Sequence, residues 1–116
     1  IQADLASQGG LIQALGRMSD WFDLLREFDF PHTLRGGVAL VSRADAPRCI
    51  DLIYSHGWRF LGYDSFTVTD EFIQPHMEWS PDWSRSGAPG KEVILAEIAQ
   101  HPGEVTHYEF VFKRTA

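Results

Sequence analysis

Five histidines, at positions 32, 56, 76, 101 and 107, are the acid–base and metal-ligating groups of this 116-residue chain. No two are four residues apart, the spacing that places two imidazoles on one helix face for zinc, and no C-x-x-C accompanies them. His101 and His107 flank Pro102-Gly103 with Glu104 between them, a candidate metal set without a recognised ligand spacing. Ser42, Asp45 and His56 are the residue types of a nucleophilic triad, but no G-x-S-x-G surrounds any serine. Helix capping accounts for Ser42 and Asp45, and a helix C-terminus suits His56. Glu71, Glu78 and Asp82 contain the carboxylate pair of a glycosidase, with nothing to set their separation. GLIQALG and RGG lack the Gly-Lys-Ser/Thr ending of a phosphate loop and the spaced glycines of a dinucleotide fold. The single cysteine, Cys49, falls in the pattern of a buried helix face, where a thiol packs rather than reacts. No catalytic residue, metal or cofactor is expected, and the chain does not read as an enzyme.

The residues that stand out do a different kind of chemistry. Glu71–Ser84, EFIQPHMEWSPDWS, combines two tryptophans, a phenylalanine, three carboxylates and two prolines without a Lys or Arg. The prolines keep it from being a regular helix. Tryptophan buries a large area with few rotatable bonds and is enriched at binding hot spots. Carboxylates beside it speed encounter with a cationic partner and disfavour others. Asp64, Asp70, Glu71, Glu78, Trp79, Asp82 and Trp83 are therefore the candidate partner-binding residues. The bland alternative pins both indoles to the core and leaves the acids as a solvated face.

Whole-chain properties agree. The formal charge is −6, which repels nucleic-acid phosphate and attracts basic proteins. An apolar fraction of 44% is enough for one domain with its own core. No apolar run approaches a membrane span. The opening IQADLASQGG has neither a basic n-region nor an apolar h-region and does not read as an intact signal peptide. Residues 1–10 are expected to be a flexible segment, and 11–116 a single domain.

The elements that must position these residues follow from periodicity. Leu11, Leu15, Met18, Phe22 and Leu25 form a helical stripe that Pro31 ends by Phe28 or Asp29. Val38–Val41 reads as a buried strand after Gly36-Gly37. Ser42 and Asp45 resemble a capping box for a helix whose inner face is Ala46, Cys49, Ile50 and Ile53, with Gly57 at its end. Trp58–Tyr63 reads as the next strand, and the strand–helix–strand unit implies a right-handed crossover with parallel strands. Asp64-Ser65 reads as a turn before a strand at Phe66–Thr69. Lys91–Gln100 reads as a helix with Ile94, Leu95 and Ile98 on one face. From Val105 to Arg114, Tyr108, Phe110 and Phe112 alternate with His107, Glu109, Val111 and Lys113, the clearest strand in the chain. The order α-β-α-β-β-α-β predicts an α+β fold, a small mixed sheet packed on one face by about three helices.

The run ALVSRADAPRCIDLIYSHGWRFLGYD, residues 39–64, resembles the immunity proteins of bacterial polymorphic-toxin systems, nearest the immunity protein 40 family. Ser42-Arg43, Asp45-Ala46, Ile50-Asp51, Gly57, Leu61-Gly62 and Asp64 carry the resemblance, and Tyr63 departs from it where the family has a second glycine. A Trp-containing segment and the closing YEFVF are also similar. The resemblance implies a small cytoplasmic protein that binds and neutralises a cognate toxin. Many such toxins are basic nucleases, so that an acidic inhibitor mimics nucleic-acid charge. No direct nucleic-acid or membrane partner is expected. The rival reading is a small-molecule-binding or regulatory domain, its pocket between the last helix and the sheet ringed by Trp58, Tyr63 and Trp79.

Overall fold

The computed structural model describes residues 20–114. The flexible opening expected for 1–10, and Leu11, Leu15 and Met18 of the first stripe, lie outside the described residues. Residues 20–27 are helical (α1), followed by the strands β1 (Thr33–Arg35) and β2 (Val38–Ser42). Helix α2 (Ala46–Ser55) leads to β3 (Arg59–Val68) and β4 (Ile73–His76). A 3-10 turn (Met77–Trp79), helix α3 (Lys91–Gln100) and β5 (His107–Lys113) complete the order. The fold is α+β.

The sheet order is β1-β2-β5-β3-β4. Every neighbouring pair is antiparallel, which corrects the expected mixed sheet. β2 and β3 both run against β5 and hence parallel to each other, as the strand–helix–strand unit implied. They are not neighbours, because the closing strand inserts between them. Its aromatic face makes it the natural centre: Tyr108, Phe110 and Phe112 are fully buried, while the alternate residues are half-buried or exposed.

The three helices of the described residues bury one face against the same side of the sheet. Ala46, Cys49, Ile50 and Ile53 of α2 share one core cluster with Ile94 and Ile98 of α3 and with Tyr63, Tyr108, Phe110 and Phe112. Each fully buried side chain of this size contributes about 1.5–3 kcal/mol of transfer free energy. Burial pushes the Cys49 thiol far above its ordinary range, which suits a packing role. In α1 the deepest residues are Trp21, Leu24 and Leu25, whereas Phe22 is half-buried. The inner face is thus rotated from the expected stripe, and the Trp21 indole is spent on donating to the Ala39 carbonyl at 2.8 Å.

Four local expectations change. Arg35 pairs with Val38 across Gly36 (φ 57) and Gly37 (φ 79), a two-residue hairpin turn, so a strand precedes the glycines. The cap of α2 is Asp45, with Pro47 in the first turn. Ser42 lies three residues earlier and donates to the Asp45 carboxylate at 3.1 Å. Asp64 and Ser65 do not turn; they sit within β3, opposite Glu109 and Tyr108. Finally, Ile73–His76, expected to be irregular, is an edge strand. Pro75 is tolerated there because its missing N–H faces no partner strand. The end of α2 agrees with expectation: Gly57 (φ 69) donates to Tyr54 O at 3.0 Å and Trp58 to Ile53 O at 3.3 Å, a Schellman arrangement. No helix among the described residues is long and apolar enough to cross a membrane.

Candidate functional site

β3 turns Tyr63 toward the helices, and the chain returns over it as Met77–Trp83. Three residues of β3 hold that return segment. The Ser65 hydroxyl, fully buried, donates to the Trp79 carbonyl, and the Ser65 N–H donates to Ser80 Oγ at 3.0 Å. Beside it Tyr63 N–H donates to Pro81 O at 3.3 Å and Trp83 N–H to Leu61 O at 2.7 Å. Gly62 lies between these bonds, at a bulge in the β3–β5 register and in bridge contact with Asp82. Its φ of 150° and the Pro81 carbonyl, which a Cβ would strike, both demand glycine.

Between this segment and α3 lies a cleft of about 460 Å³. Tyr63 and His101 form its inner wall, Met77, Glu78 and Trp79 one rim, and Glu97 the other. Three hydrogen bonds tie the wall together: Tyr63 Oη to Glu97 Oε1 at 3.0 Å, Tyr63 Oη with His101 Nε2 at 3.3 Å, and His101 Nδ1 with Tyr108 Oη at 2.8 Å. Burial and the nearby Arg43 charge lower the His101 pKa and favour the neutral imidazole. With a neutral ring one proton assignment satisfies all three bonds. Tyr63 has a single hydroxyl proton, which goes to the carboxylate; His101 therefore donates from Nε2, and its Nδ1 accepts from Tyr108. Burial, then the Glu97 charge, raises the Tyr63 phenol far above its ordinary value, and burial raises Tyr108 to about 12. The chain Tyr108–His101–Tyr63 thus delivers a donor to Glu97 at the cleft.

Arg43 fixes this wall from behind. Its guanidinium donates to five carbonyls at the end of α3 and the turn after it: Pro102 at 2.7, His101 at 2.7, Ile98 at 2.9, Val105 at 3.1 and Ala99 at 3.3 Å. Ile98 and Ala99 are among the last-turn carbonyls that a helix end leaves without i+4 donors, and the other three lie in the cap and the turn beyond it.

The seven candidate residues are not gathered into one patch. Glu78, Trp79, Asp82 and Trp83 share the return segment. Both indoles are half-buried and packed on the core, Trp79 5.3 Å from the His101 ring and Trp83 5.8 Å from Tyr63. Glu78 and Asp82 are exposed. Asp70 and Glu71 occupy the β3–β4 turn, separated from Glu78 by the length of β4, about 13 Å. Asp64 faces the other side of the sheet, opposite Glu109. Among the described residues Asp70, Glu71 and Glu78 join no salt bridge.

The other constellations separate. Ser42 and Asp45 precede α2 and His56 follows it, about 15 Å along the axis. His101 faces the core while His107 lies on the outer face of the sheet, bonded to Thr106 at 2.8 Å, and Glu104 is exposed in the turn between them. Glu71 is too far along the chain path from Glu78 to act with it. Trp58 does not line the cleft. It stacks on Phe112 (5.5 Å) and His56 (4.5 Å), and the Arg114 guanidinium lies 4.6 Å from its ring centroid, gripped by both Glu27 oxygens at 2.9 and 3.0 Å.

Sequence reasoning missed Glu97 and the wall role of His101. Their i, i+4 spacing at the end of a helix was a usable signal, since it puts both on one face. Comparison with protein-family models, curated proteins and solved structures found no match.

Proposed function

We propose that this domain is a non-catalytic immunity-type protein of the cytoplasm that binds and neutralises a basic protein toxin, with the return segment and its cleft as the contact surface. One observation carries the reading: Met77–Trp83 is held in place by Ser65 and Gly62 yet leaves Glu78 and Asp82 exposed and both indoles half-covered. A surface that is both preorganised and incompletely buried loses little entropy on docking. Its carboxylates steer a cationic partner.

The test is binding to the product of an adjacent toxin reading frame, with and without Glu78→Lys and Asp82→Lys together. The double change should weaken affinity at least about tenfold at low salt, and less at high salt. Equal affinity at low salt would overturn the electrostatic reading.

The rival, a small-molecule or regulatory pocket, is favoured by the cleft itself, whose volume lies in the ligand-site range and which Tyr63 and Trp79 line. The two readings part at Asp82, which is not among the cleft-lining residues. Its reversal weakens a docked protein and leaves a ligand seated in the cleft untouched.

A further inference from the structure

We infer that the cleft is a receptor for one arginine side chain of the partner, its guanidinium placed between Glu78 and Glu97 and against Trp79. The inference deepens the binding reading above and rests on it. The chain contains its own example of the arrangement. At Trp58, a guanidinium lies over the indole and is gripped by both oxygens of a carboxylate. At Trp79 the same residue types recur, an indole with carboxylates on both rims, but among the described residues no Lys or Arg lines the cleft. The cation that completes the first site is what the second lacks.

The chemistry favours arginine. Its planar fork matches carboxylate oxygens two at a time, and its weakly hydrated face stacks on aromatic rings. Glu97 is already oriented by the Tyr63 hydroxyl, which uses one of about four lone-pair positions on the carboxylate. The buried neutral His101 adds no competing charge to the wall. Met77, 81% exposed at the rim, is a flexible apolar side chain suited to the methylene stem of an entering residue.

The probe is N-butylguanidinium, titrated at low salt into the 15N-labelled chain while the four indole N–H resonances are followed. Neutral N-butylurea, of the same shape, is the control. The Trp79 indole should shift saturably with the guanidinium and not with the urea. Glu78→Gln with Glu97→Gln should weaken the response about tenfold or more. Gln at 97 keeps an acceptor for Tyr63, so the wall survives, and unchanged positions of the other indoles report that it has. A Trp79 resonance that stays still, or moves equally with the urea, overturns the inference. If that happens while the toxin complex still depends on Glu78 and Asp82, the binding reading stands alone. Guanidinium binding together with a toxin complex indifferent to those acids overturns the binding reading, and with it the partner arginine, leaving only a cation-selective cleft.

Discussion

Trp58 and Trp79 are built from the same parts and finished differently. Each has a histidine ring beside it, at 4.5 and 5.3 Å, and a glutamate nearby. At Trp58 the set is closed: Phe112 lies beneath the indole, and Arg114 spans the indole and Glu27. At Trp79 the set is open: the ring lines a cleft whose charged lining residues, Glu78 and Glu97, are both carboxylates. The difference is one of supply. The segment after the closing strand delivers Arg114 to the first indole, and no Lys or Arg occurs from Asp64 to Ser84 to serve the second. The first indole has its cation in place, held by both oxygens of Glu27.

The contrast is broken most severely at Gly62. A Cβ there meets the Pro81 carbonyl in a backbone region that side chains rarely adopt. Gly62→Ala should cost about 3 kcal/mol in urea denaturation and displace the Trp79 and Trp83 indole resonances while Trp58 stays put. A variant of unchanged stability would mean that the return segment is not held by this contact.

A smaller loss is expected at the back of the cleft. Arg43→Met keeps the stem and removes the guanidinium from five carbonyls, at a cost of about 2 kcal/mol. Hydrogen exchange should quicken at the end of α3 and leave α1 unaffected. Exchange that quickens equally in both helices would show a general loss of stability rather than a local anchor.

The mildest change sharpens the closed site. The hydrogen bond from Arg114 holds the Glu27 carboxyl below its ordinary value of 4.5. A depressed carboxylate stabilises the fold above its unfolded pKa, and that contribution fades as pH falls through the folded one. A 13C titration should therefore place Glu27 below 4.5, and in Arg114→Ala it should return upward. In the same variant Trp58 should begin to respond to N-butylguanidinium, having become an open site. Titration of Glu27 at its ordinary value in the parent chain would remove the pair from the comparison.

Local pattern was enough where neighbours in sequence are neighbours in space. The inner face of α2, the Gly57 ending, the bounds of α3 and the alternation of β5 all follow from period and punctuation. Pattern misled at Asp64-Ser65, where turn-forming residues lie in mid-strand because β5 pairs with their backbone and Trp79 accepts the buried hydroxyl. It overlooked the hairpin at Gly36-Gly37, although the two-residue spacing was visible. Of the candidate site, the importance of the acidic-aromatic stretch was legible, and its division among a return segment, a hairpin tip and the far side of the sheet was not. His101 was legible as a functional type but was grouped with His107, when its bonded partners are Tyr63 in β3 and Tyr108, the neighbour of His107 that points to the opposite face of β5.

Composition and periodicity by themselves determined an α+β chain with a −6 charge, the inner faces of α2 and α3, and a tryptophan-bearing acidic stretch without its own cation. Those properties depend on residue identity and short-range spacing, which the chain states directly. Tertiary structure alone decided that β5 enters between β2 and β3, that Gly62 lets the stretch fold back onto Tyr63, and that Glu97 faces Glu78 across a cleft. Each of these depends on contacts between residues far apart in the chain. Hydrogen bonding and packing across the whole sheet settle such contacts, and no local pattern encodes them.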